Sequence, residues 1–285
     1  MKIAFIGAGR LAQTLALAFS RVGIAVVAVF NRSTPRAEAL AASVGACQVC
    51  DSPQQAADLA DLVFMAVSDD KIGALVSQVR WREGQCVVHC SGATEVAVLE
   101  PATSQGAAVG GFHPLQLFAD PAVALGNMAG SSVAIEAEGA LEAELRRIAE
   151  LVGYRVIKLP PGVRGRYHAA TNYAASFLLS LLREACDIWN TFGVNDRDAL
   201  DALLPLARGA LDAVEARGLA GAIAGPISRG DVSVVSLHLR ELNNLGDPAV
   251  DFYRSVALRQ LRLARDLGHL EPAVLERMEL ILRDS

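Results

Sequence analysis

Two histidines and their polar neighbours are the residues whose types and spacing suit proton transfer. His113 ends a strand-like apolar run and precedes Pro114, which restricts the histidine to an extended backbone. His168 lies midway between Arg164 and Asn172, so these three side chains share one face of a predicted helix. An unperturbed imidazole titrates near ~6.5 and can exchange a proton at neutral pH. Either histidine is therefore a candidate general acid, with Asn172 as a neighbour that can orient a substrate.

The alternative for each candidate is a structural histidine, buried in the core or capping an element. The same interpretation is favoured for His89, which lies within a predicted strand, and for His238, which lies within a predicted helix. His269 is expected to be solvated near a helix end. The proton-transfer hypothesis therefore rests on His113 and His168 alone.

The elements that position these residues begin at the amino end, where the strand-like segment IAFI precedes GAGRLA and a helix-periodic stretch. Strand, G-x-G-x-x-A turn and helix in this order are typical of a dinucleotide-binding fold. Gly7 permits the tight turn, and Gly9 lets the backbone approach a pyrophosphate. The helix N-terminus at Arg10 and Leu11 offers free N–H groups to the same anion. The segment therefore predicts a dinucleotide site.

The end of the second predicted strand indicates which dinucleotide is bound. Asn31 stands where an NAD enzyme would place an acidic residue for the ribose 2′-hydroxyl. Arg32 can bind a 2′-phosphate through its planar guanidinium, Ser33 adds a hydroxyl donor, and Arg36 adds a second charge. The alternative is a solvated arginine before a helix start. After the glycine fingerprint, the sequence predicts NADP(H).

Further polar residues follow predicted strands of the same domain. The segment DLVFMAVSDD ends at Val67 and Ser68, QCVVHCSG ends near Ser91, and GAAVGGFHPLQLF carries His113. In open α/β sheets, ligands bind beyond the carboxyl ends of the strands. We therefore expect Val67 and Ser68 at the cofactor and Ser91 beside the candidate catalytic residues.

The sequence pattern changes near residue 160, after which strand signals vanish and helical periodicity dominates. The predicted fold class is therefore α/β, with an N-terminal Rossmann dinucleotide-binding domain (1–160) followed by an all-α C-terminal domain (161–285). A single long helix is expected from about 163 to 191. Apolar faces at 173–182 and 200–211 are larger than a small helical domain easily buries, which predicts a homodimer through the C-terminal domain.

Composition narrows the class of protein. The net charge is −5 with no basic run, so nucleic acid is not an expected partner, and no apolar stretch is long enough to span a bilayer. A strand beginning at the second residue argues against a signal peptide. The five cysteines favour a reducing, cytoplasmic compartment. Their spacings would point paired cysteines to opposite faces of strands, so no metal site is expected.

Three separated stretches carry a resemblance to a known family: GFHPLQLF, RYHAATNYAASFLLSLL and GPISRGDVSVVSLHL. They resemble a bacterial family of Rossmann-like NADP oxidoreductases with a helical domain of unknown function, within the 6-phosphogluconate dehydrogenase-like superfamily. Some relatives are alternative ketopantoate reductases. The resemblance implies hydride transfer and dimerisation through the helical domain. His113 is also similar to the His-Pro-Met histidine of prephenate dehydrogenases, which contacts the reacting oxygen.

The chain departs from the superfamily at the start of the long helix, where related dehydrogenases often carry a catalytic lysine in Lys-x-x-x-Asn. Here Arg164 and His168 occupy the comparable positions. Arginine does not easily deliver a proton, but Arg164, Arg166 or Arg229 can bind a substrate carboxylate. We therefore expect an NADP(H)-dependent oxidoreductase acting on a small carbonyl acid. An imine reductase of the pyrroline-5-carboxylate reductase type and a non-catalytic NADP-binding protein are the alternatives.

Overall fold

The chain folds into two compact units in the computed structural model, which describes residues 1–268 and 270–283. The first unit is Met1–Ala175, and the second begins at Ser176. The last helix of the first unit, Arg164–Ala174, follows residue 160, where the sequence pattern changes, yet it packs within the first unit. This placement brings Arg164 and His168 into contact with the Rossmann sheet.

The first unit is built on an eight-stranded sheet in the order β3-β2-β1-β4-β5-β6-β7-β8. All neighbouring strands pair in parallel except β6 and β7, which are antiparallel. The carboxyl ends of β1, β4, β5 and β6 therefore lie side by side at one edge. The strands are β1 Ile3–Ile6, β2 Val26–Phe30, β3 Gln48–Val49, β4 Leu62–Met65, β5 Cys86–His89, β6 Ala108–Leu115, β7 Ser132–Glu136 and β8 Arg155–Lys158.

Helices cover both faces of this sheet, as short buried strands require. Several begin directly after a strand, so their N-termini lie at the same edge as the strand ends. The helices are α1 Arg10–Arg21, α2 Thr34–Val44, α3 Pro53–Asp58, α4 Asp69–Gln78, α5 Glu100–Thr103, α6 Pro121–Gly126, α7 Gly139–Leu151 and α8 Arg164–Ala174.

Two apolar cores hold the sheet between its helices. Successive strand residues alternate between them: Phe5 and Phe64 face one core, and Ile6 and Met65 face the other. Phe5 and Phe64 stack with ring centroids 5.3 Å apart. Fully burying an aromatic side chain of this size contributes about 1.5–3 kcal/mol, so the strand ends are held on a rigid base.

The second unit is helical, with α9 Ser176–Asn190, α10 Asp196–Ala222, α11 Val232–Asn243, α12 Asp247–Asp266 and α13 Pro272–Arg283. Helix α10 is interrupted at Gly218, whose φ is +67°. The single helix expected over 163–191 is wrong, because the backbone leaves the helical region at Ala175, with φ −122° and ψ −84°. Alanine favours helices, so the break has no local sequence signal. The fold class is confirmed.

None of the helices in the described part of the chain is long and apolar enough to cross a membrane.

Candidate active site

A cleft of about 500 Å³ opens at the carboxyl ends of β1, β2 and β4. We call it the glycine-loop cleft. Six of the nine predicted cofactor-binding residues line it: Gly7, Gly9, Asn31, Arg32, Val67 and Ser68. The other lining residues are Ile6, Phe30, Arg36, Ala66, Lys71, Ala74, Leu75 and Gln78.

The floor of the glycine-loop cleft requires glycine. Gly7 has φ +108°, and a Cβ on it would collide with the carbonyl oxygen of Ala66, the residue that follows β4. A Cβ on Gly9, in contrast, would meet no described atom within 4 Å. Helix α1 follows directly, and the side chains of the described residues provide no cap for its first turn. The loop therefore presents open backbone and a helix N-terminus, as a pyrophosphate requires.

Asn31 supports this loop as well as ending β2. Its side-chain oxygen accepts a hydrogen bond from the backbone N–H of Ala8 at 3.1 Å, and its amide nitrogen donates to the carbonyl of Ser33 at 3.0 Å. The amide thus joins the glycine loop to the turn that precedes α2. A neutral side chain at this position has two effects: it holds the glycine loop, and it adds no negative charge to the cleft.

The charged side chains that line the cleft are cationic. Arg32, Arg36 and Lys71 line it, and its described lining residues include no aspartate or glutamate. Lys71 was not predicted, although its place in the first turn of α4, just after β4, follows the same strand-end rule that indicated Val67 and Ser68. Three cations beside a glycine loop fit the 2′-phosphate and pyrophosphate of NADP(H).

Three predicted cofactor-binding residues lie outside the described lining of the cleft. The Arg10 guanidinium donates to the carbonyl of Ala119 at 2.8 Å. Leu11 packs against the sheet core, and Ser33 is the N-cap residue of α2.

A second group of polar residues lies near the carboxyl ends of β5 and β6, although β6 does not end at His113 as expected but continues to Leu115. His113 and His168 meet edge to face with ring centroids 5.8 Å apart, and Tyr167 also meets His113 edge to face, at 5.6 Å. A Cβ on Gly92 would lie 2.9 Å from Cε1 and Nε2 of His113 and would collide with His168. We call His113, Tyr167 and His168 around Gly92 the histidine cluster. The structure thus brings together the two histidines that the sequence selected.

Tyr167 was missed by sequence reasoning, although it directly precedes His168. Its hydroxyl lies 2.7 Å from Nδ1 of His113. Burial raises the pKa of this phenol above its ordinary value, so it keeps its proton at neutral pH. When the hydroxyl donates to Nδ1, the ring proton of His113 lies on Nε2, the nitrogen that faces Gly92.

The pKa of His113 corrects one expectation. Burial, followed by the charges of His168 and Arg164, lowers the pKa of His113 to about 4, and only Asp69 acts in the opposite direction. The expected ordinary titration near ~6.5 is therefore wrong, because the ring is desolvated beside the Arg164 guanidinium. At neutral pH His113 is a neutral imidazole, which can still donate a hydrogen bond.

Ser91 lies beside the cluster with its hydroxyl already bonded within the protein. It donates to the Asp69 carboxylate at 2.7 Å, lies 2.9 Å from the Thr94 hydroxyl, and accepts from the backbone N–H of Ala93 and Thr94. Ser91 is buried. The hydroxyl therefore shapes the turn after β5, and the structure gives it no free donor for a substrate.

Arg164 is fully buried, so the expectation that its guanidinium binds a substrate carboxylate is corrected by its surroundings. Its Nε lies 2.5 Å from a carboxylate oxygen of Glu136, and one terminal nitrogen donates to the carbonyl of Ser91 at 2.7 Å. A buried charge needs a partner of this kind. Asn172, farther along the helix, donates to the carbonyl of His168 at 3.3 Å.

The remaining histidines differ in their surroundings. His89 is fully buried on β5, and burial lowers its pKa to about 3. His238 lies 2.9 Å from the hydroxyl of Tyr253 in the second unit, and His269 lies outside the described residues. Within 1–268 and 270–283, no group of three or more metal-ligating side chains is placed to hold an ion.

Two family models match different parts of the chain. Residues 1–114 match a Rossmann-like domain, and residues 131–260 match a domain of unknown function, DUF2520. No curated protein sequence matches the chain.

Solved structures match along most of the chain. A Bacteroides fragilis protein provisionally assigned as an NADP oxidoreductase is 25% identical, with a TM-score of 0.70 over 94% of this chain and 98% of that one. An imine reductase from a Pseudomonas species is 19% identical, with a TM-score of 0.64 over 97% and 98% of the two chains. Plasmodium falciparum pyrroline carboxylate reductase with NADP bound is 13% identical, with a TM-score of 0.61 over 99% and 98%.

These matches confirm the combination indicated by the sequence motifs. The chain joins a Rossmann-like domain, whose glycine-loop cleft fits NADP(H), to a C-terminal domain of unknown function, in an NADP oxidoreductase-like fold.

Proposed function

We propose that the protein is an NADP(H)-dependent oxidoreductase that transfers a hydride to or from a small carbonyl acid. The observation that carries the proposal is the position of the histidine cluster. It lies at the ends of β5 and β6, directly beside the strands whose ends form the glycine-loop cleft. A cofactor site and a set of proton-handling side chains thus share one sheet edge, where ligands bind in folds of this class.

The residues that would hold the cofactor are Gly7, Gly9, Arg32, Arg36 and Lys71. When bound, NADPH supplies the hydride that reduces a carbonyl carbon. The protein must then stabilise the negative charge that develops on the substrate oxygen and provide a proton.

His113 is suited to the first of these tasks. As a neutral imidazole held by Tyr167, it presents Nε2–H towards Gly92 and donates a hydrogen bond to the substrate oxygen. Prearranged donors of this kind stabilise developing charge strongly in a site that excludes water. His168, in contact with the His113 ring, is the second group that can deliver the proton. With Arg164 buried, Arg166 is the predicted partner of the substrate carboxylate within the first unit.

Reduction of a cyclic imine is the second candidate. It is favoured by the likeness to an imine reductase and a pyrroline carboxylate reductase, which cover this chain almost completely. The two candidates differ at the reacting atom. A carbonyl oxygen gains negative charge during reduction and uses the His113 N–H, whereas a protonated imine loses positive charge and has no need of that donor.

The deciding experiment measures NADPH oxidation by the wild-type protein with a panel of 2-oxo acids, including ketopantoate, and a panel of cyclic imines. The control is Gly7→Ala, because its Cβ would collide with Ala66 and disturb the loop that binds the cofactor. Turnover of 2-oxo acids supports the proposal, and turnover of imines alone supports the second candidate. NADPH binding by titration calorimetry without turnover of either panel would identify a non-catalytic NADP-binding protein.

We further propose a cytoplasmic homodimer that forms through residues after 160. The support is apolar surface on α9 and α10, where Leu179, Leu206 and Leu211 are 64%, 72% and 58% exposed. Leaving several leucine side chains exposed to water costs free energy that burial in an interface would recover. Light scattering at micromolar concentration tests the assembly, and a monomer would contradict it.

A further inference from the structure

Arg164 connects three parts of the first unit. Its Nε bonds Glu136 on β7, and one terminal nitrogen donates to the carbonyl of Ser91 after β5. Its backbone N–H donates to one Glu95 oxygen at 3.1 Å, and the other Glu95 oxygen accepts from Gly162 at 3.1 Å. Glu95 therefore caps the start of α8 from a distant part of the sequence, in place of a local N-cap side chain.

The strand between those contacts makes room for the guanidinium. In the sheet, Gly111 of β6 pairs with His89 on one side and with Glu136 on the other. A Cβ on Gly111 would collide with the central carbon of the Arg164 guanidinium and with its other terminal nitrogen, Nη2, which has no hydrogen-bond partner among the described residues. The arginine thus lies over a position of β6 that has no side chain.

We propose that Arg164, held by Glu136, Glu95 and Ser91, is the positioning residue that sets α8 so that Tyr167 and His168 meet His113. The inference rests on the proposed function for its catalytic meaning. Tyr167 and His168 lie about one helical turn beyond Arg164, so a small rotation or slide of α8 displaces both rings. The group acts through other residues, since its buried guanidinium is not accessible to a substrate.

Arg164 also determines the electrostatic environment of the histidine cluster. The groups that face His113 are Tyr167 and His168 from α8, Arg164 beneath them, and Asp69 from the start of α4. At the end of β5, His89 is held neutral by burial and by the Arg164 charge. Removing that charge should raise the pKa of His113 towards its ordinary value, because one of the charges that lower it is lost.

The test must separate this role from folding. Removing Arg164 alone would leave Glu136 buried and unpaired, which is strongly destabilising, whereas replacing both partners with apolar residues is often neutral. The main variant is therefore Arg164→Met combined with Glu136→Met. Its control is Arg147→Met combined with Glu144→Met, which removes an exposed pair on α7 with two hydrogen bonds of 2.8 and 2.7 Å.

We expect the buried-pair variant to fold, to bind NADPH as wild type does, and to lose about 10²-fold in kcat, the effect of misplacing a reacting group by roughly 1 Å. The ¹⁵N NMR signals of His113 should show mixed tautomers and a raised pKa. Arg164→Lys should have a kcat between those of the buried-pair variant and wild type. Lysine retains the charge, but a single ammonium cannot bond Glu136 and Ser91 at the same time. The α7 control should match wild type in all these measurements.

A second variant displaces the guanidinium without changing any charge. Gly111→Ala introduces the colliding Cβ, and its backbone φ is not in the positive region, so alanine is otherwise acceptable. Its control is Gly165→Ala on α8, whose Cβ would meet no described atom within 4 Å. We expect the His113 tautomer to change in Gly111→Ala and to remain as in wild type in Gly165→Ala.

The NMR measurements need no substrate, so they test the positioning role even if the proposed reaction is wrong. A buried-pair variant that folds with wild-type His113 signals and wild-type kcat would overturn the inference. Altered His113 signals in a protein that turns over neither substrate panel would support the positioning and contradict only the proposed function.

Discussion

The glycine-loop cleft and the histidine cluster share one edge of the same sheet but are built in opposite ways. The cleft takes most of its residues from short stretches beside β1, β2 and β4, its cations are exposed, and its floor is backbone. The cluster combines residues near 92, 113 and 167–168, its rings are partly buried, and His113 is neutral. One site is therefore suited to holding anions and the other to moving charge in a desolvated space.

If this division is correct, variants of one site should leave the other unchanged. Substitutions in the cluster should alter turnover at saturating NADPH, and substitutions in the cleft should alter which dinucleotide saturates the protein.

The largest effect is expected for His113→Ala. The variant loses the N–H that faces Gly92, and general acid and related donor groups typically contribute about 10²–10⁴-fold to the rate. We expect kcat to fall within that range, measured by NADPH oxidation with a substrate identified from the two panels. The NADPH dissociation constant should remain that of wild type, because His113 is not among the residues lining the cleft.

His168→Ala is the companion to that measurement. Full activity in His113→Ala together with an inactive His168→Ala would show that the proton donor is His168 on α8. An equal loss of NADPH affinity and kcat in His113→Ala would show that the ring is structural and that the two sites are not separable.

The next effect concerns acid stability, since the cluster side of the edge contains the buried His89 and the partly buried His113. Burial lowers the pKa of His89 to about 3 and that of His113 to about 4, against about 6.5 in the unfolded chain. The unfolded state therefore binds more protons as the pH falls below about 6.5, so the folded state loses stability from there down towards pH 4 and below. Each pKa unit of difference corresponds to about 1.4 kcal/mol.

His89→Leu tests this effect. Neither ring nitrogen of His89 has a hydrogen-bond partner among the described residues, so leucine removes a titrating group without breaking a bond. Urea unfolding between pH 7 and pH 4 should show a shallower loss of stability in the variant than in wild type. Parallel pH profiles would mean that His89 takes up no proton on unfolding.

The same contrast explains how much could be predicted from the sequence. Gly7, Gly9 and Arg32 follow a strand–turn–helix order whose geometry is local, so their types and spacing suffice to place them. The burial of Arg164 depends on Glu136 and on the absent side chain at Gly111, which are far apart in sequence. A helix pattern can show that Arg164 and His168 share a face, but it cannot show what covers that face.

Cofactor preference should change by a smaller amount. We expect wild type to bind NADP(H) at least about tenfold more tightly than NAD(H), because Arg32 and its cationic neighbours meet a dianion that NAD lacks. Asn31→Asp with Arg32→Ala should abolish or reverse the preference. Aspartate retains the oxygen that accepts from Ala8, so the glycine loop should remain in place.

Dissociation constants from titration calorimetry with NADPH and NADH measure this preference. Arg21→Ala, at the opposite end of α1 from the glycine loop, is the control for the loss of one arginine. Equal affinities of wild type for both dinucleotides would contradict the assignment of Arg32 to the 2′-phosphate. A large fall in kcat at saturating cofactor in the double variant would contradict the independence of the two sites.

The smallest effect is expected for Tyr167→Phe, which retains the ring against His113 and removes only the hydroxyl 2.7 Å from Nδ1. A single hydrogen bond contributes about 0.5–1.5 kcal/mol, so kcat should fall by about two- to tenfold. Without the hydroxyl, the ring proton is no longer directed to Nε2, and ¹⁵N NMR should show more of the Nδ1–H tautomer of His113. An unchanged tautomer with the same fall in kcat would mean that Tyr167 contacts the substrate itself, and the cluster would then contain two donors instead of one donor and its support.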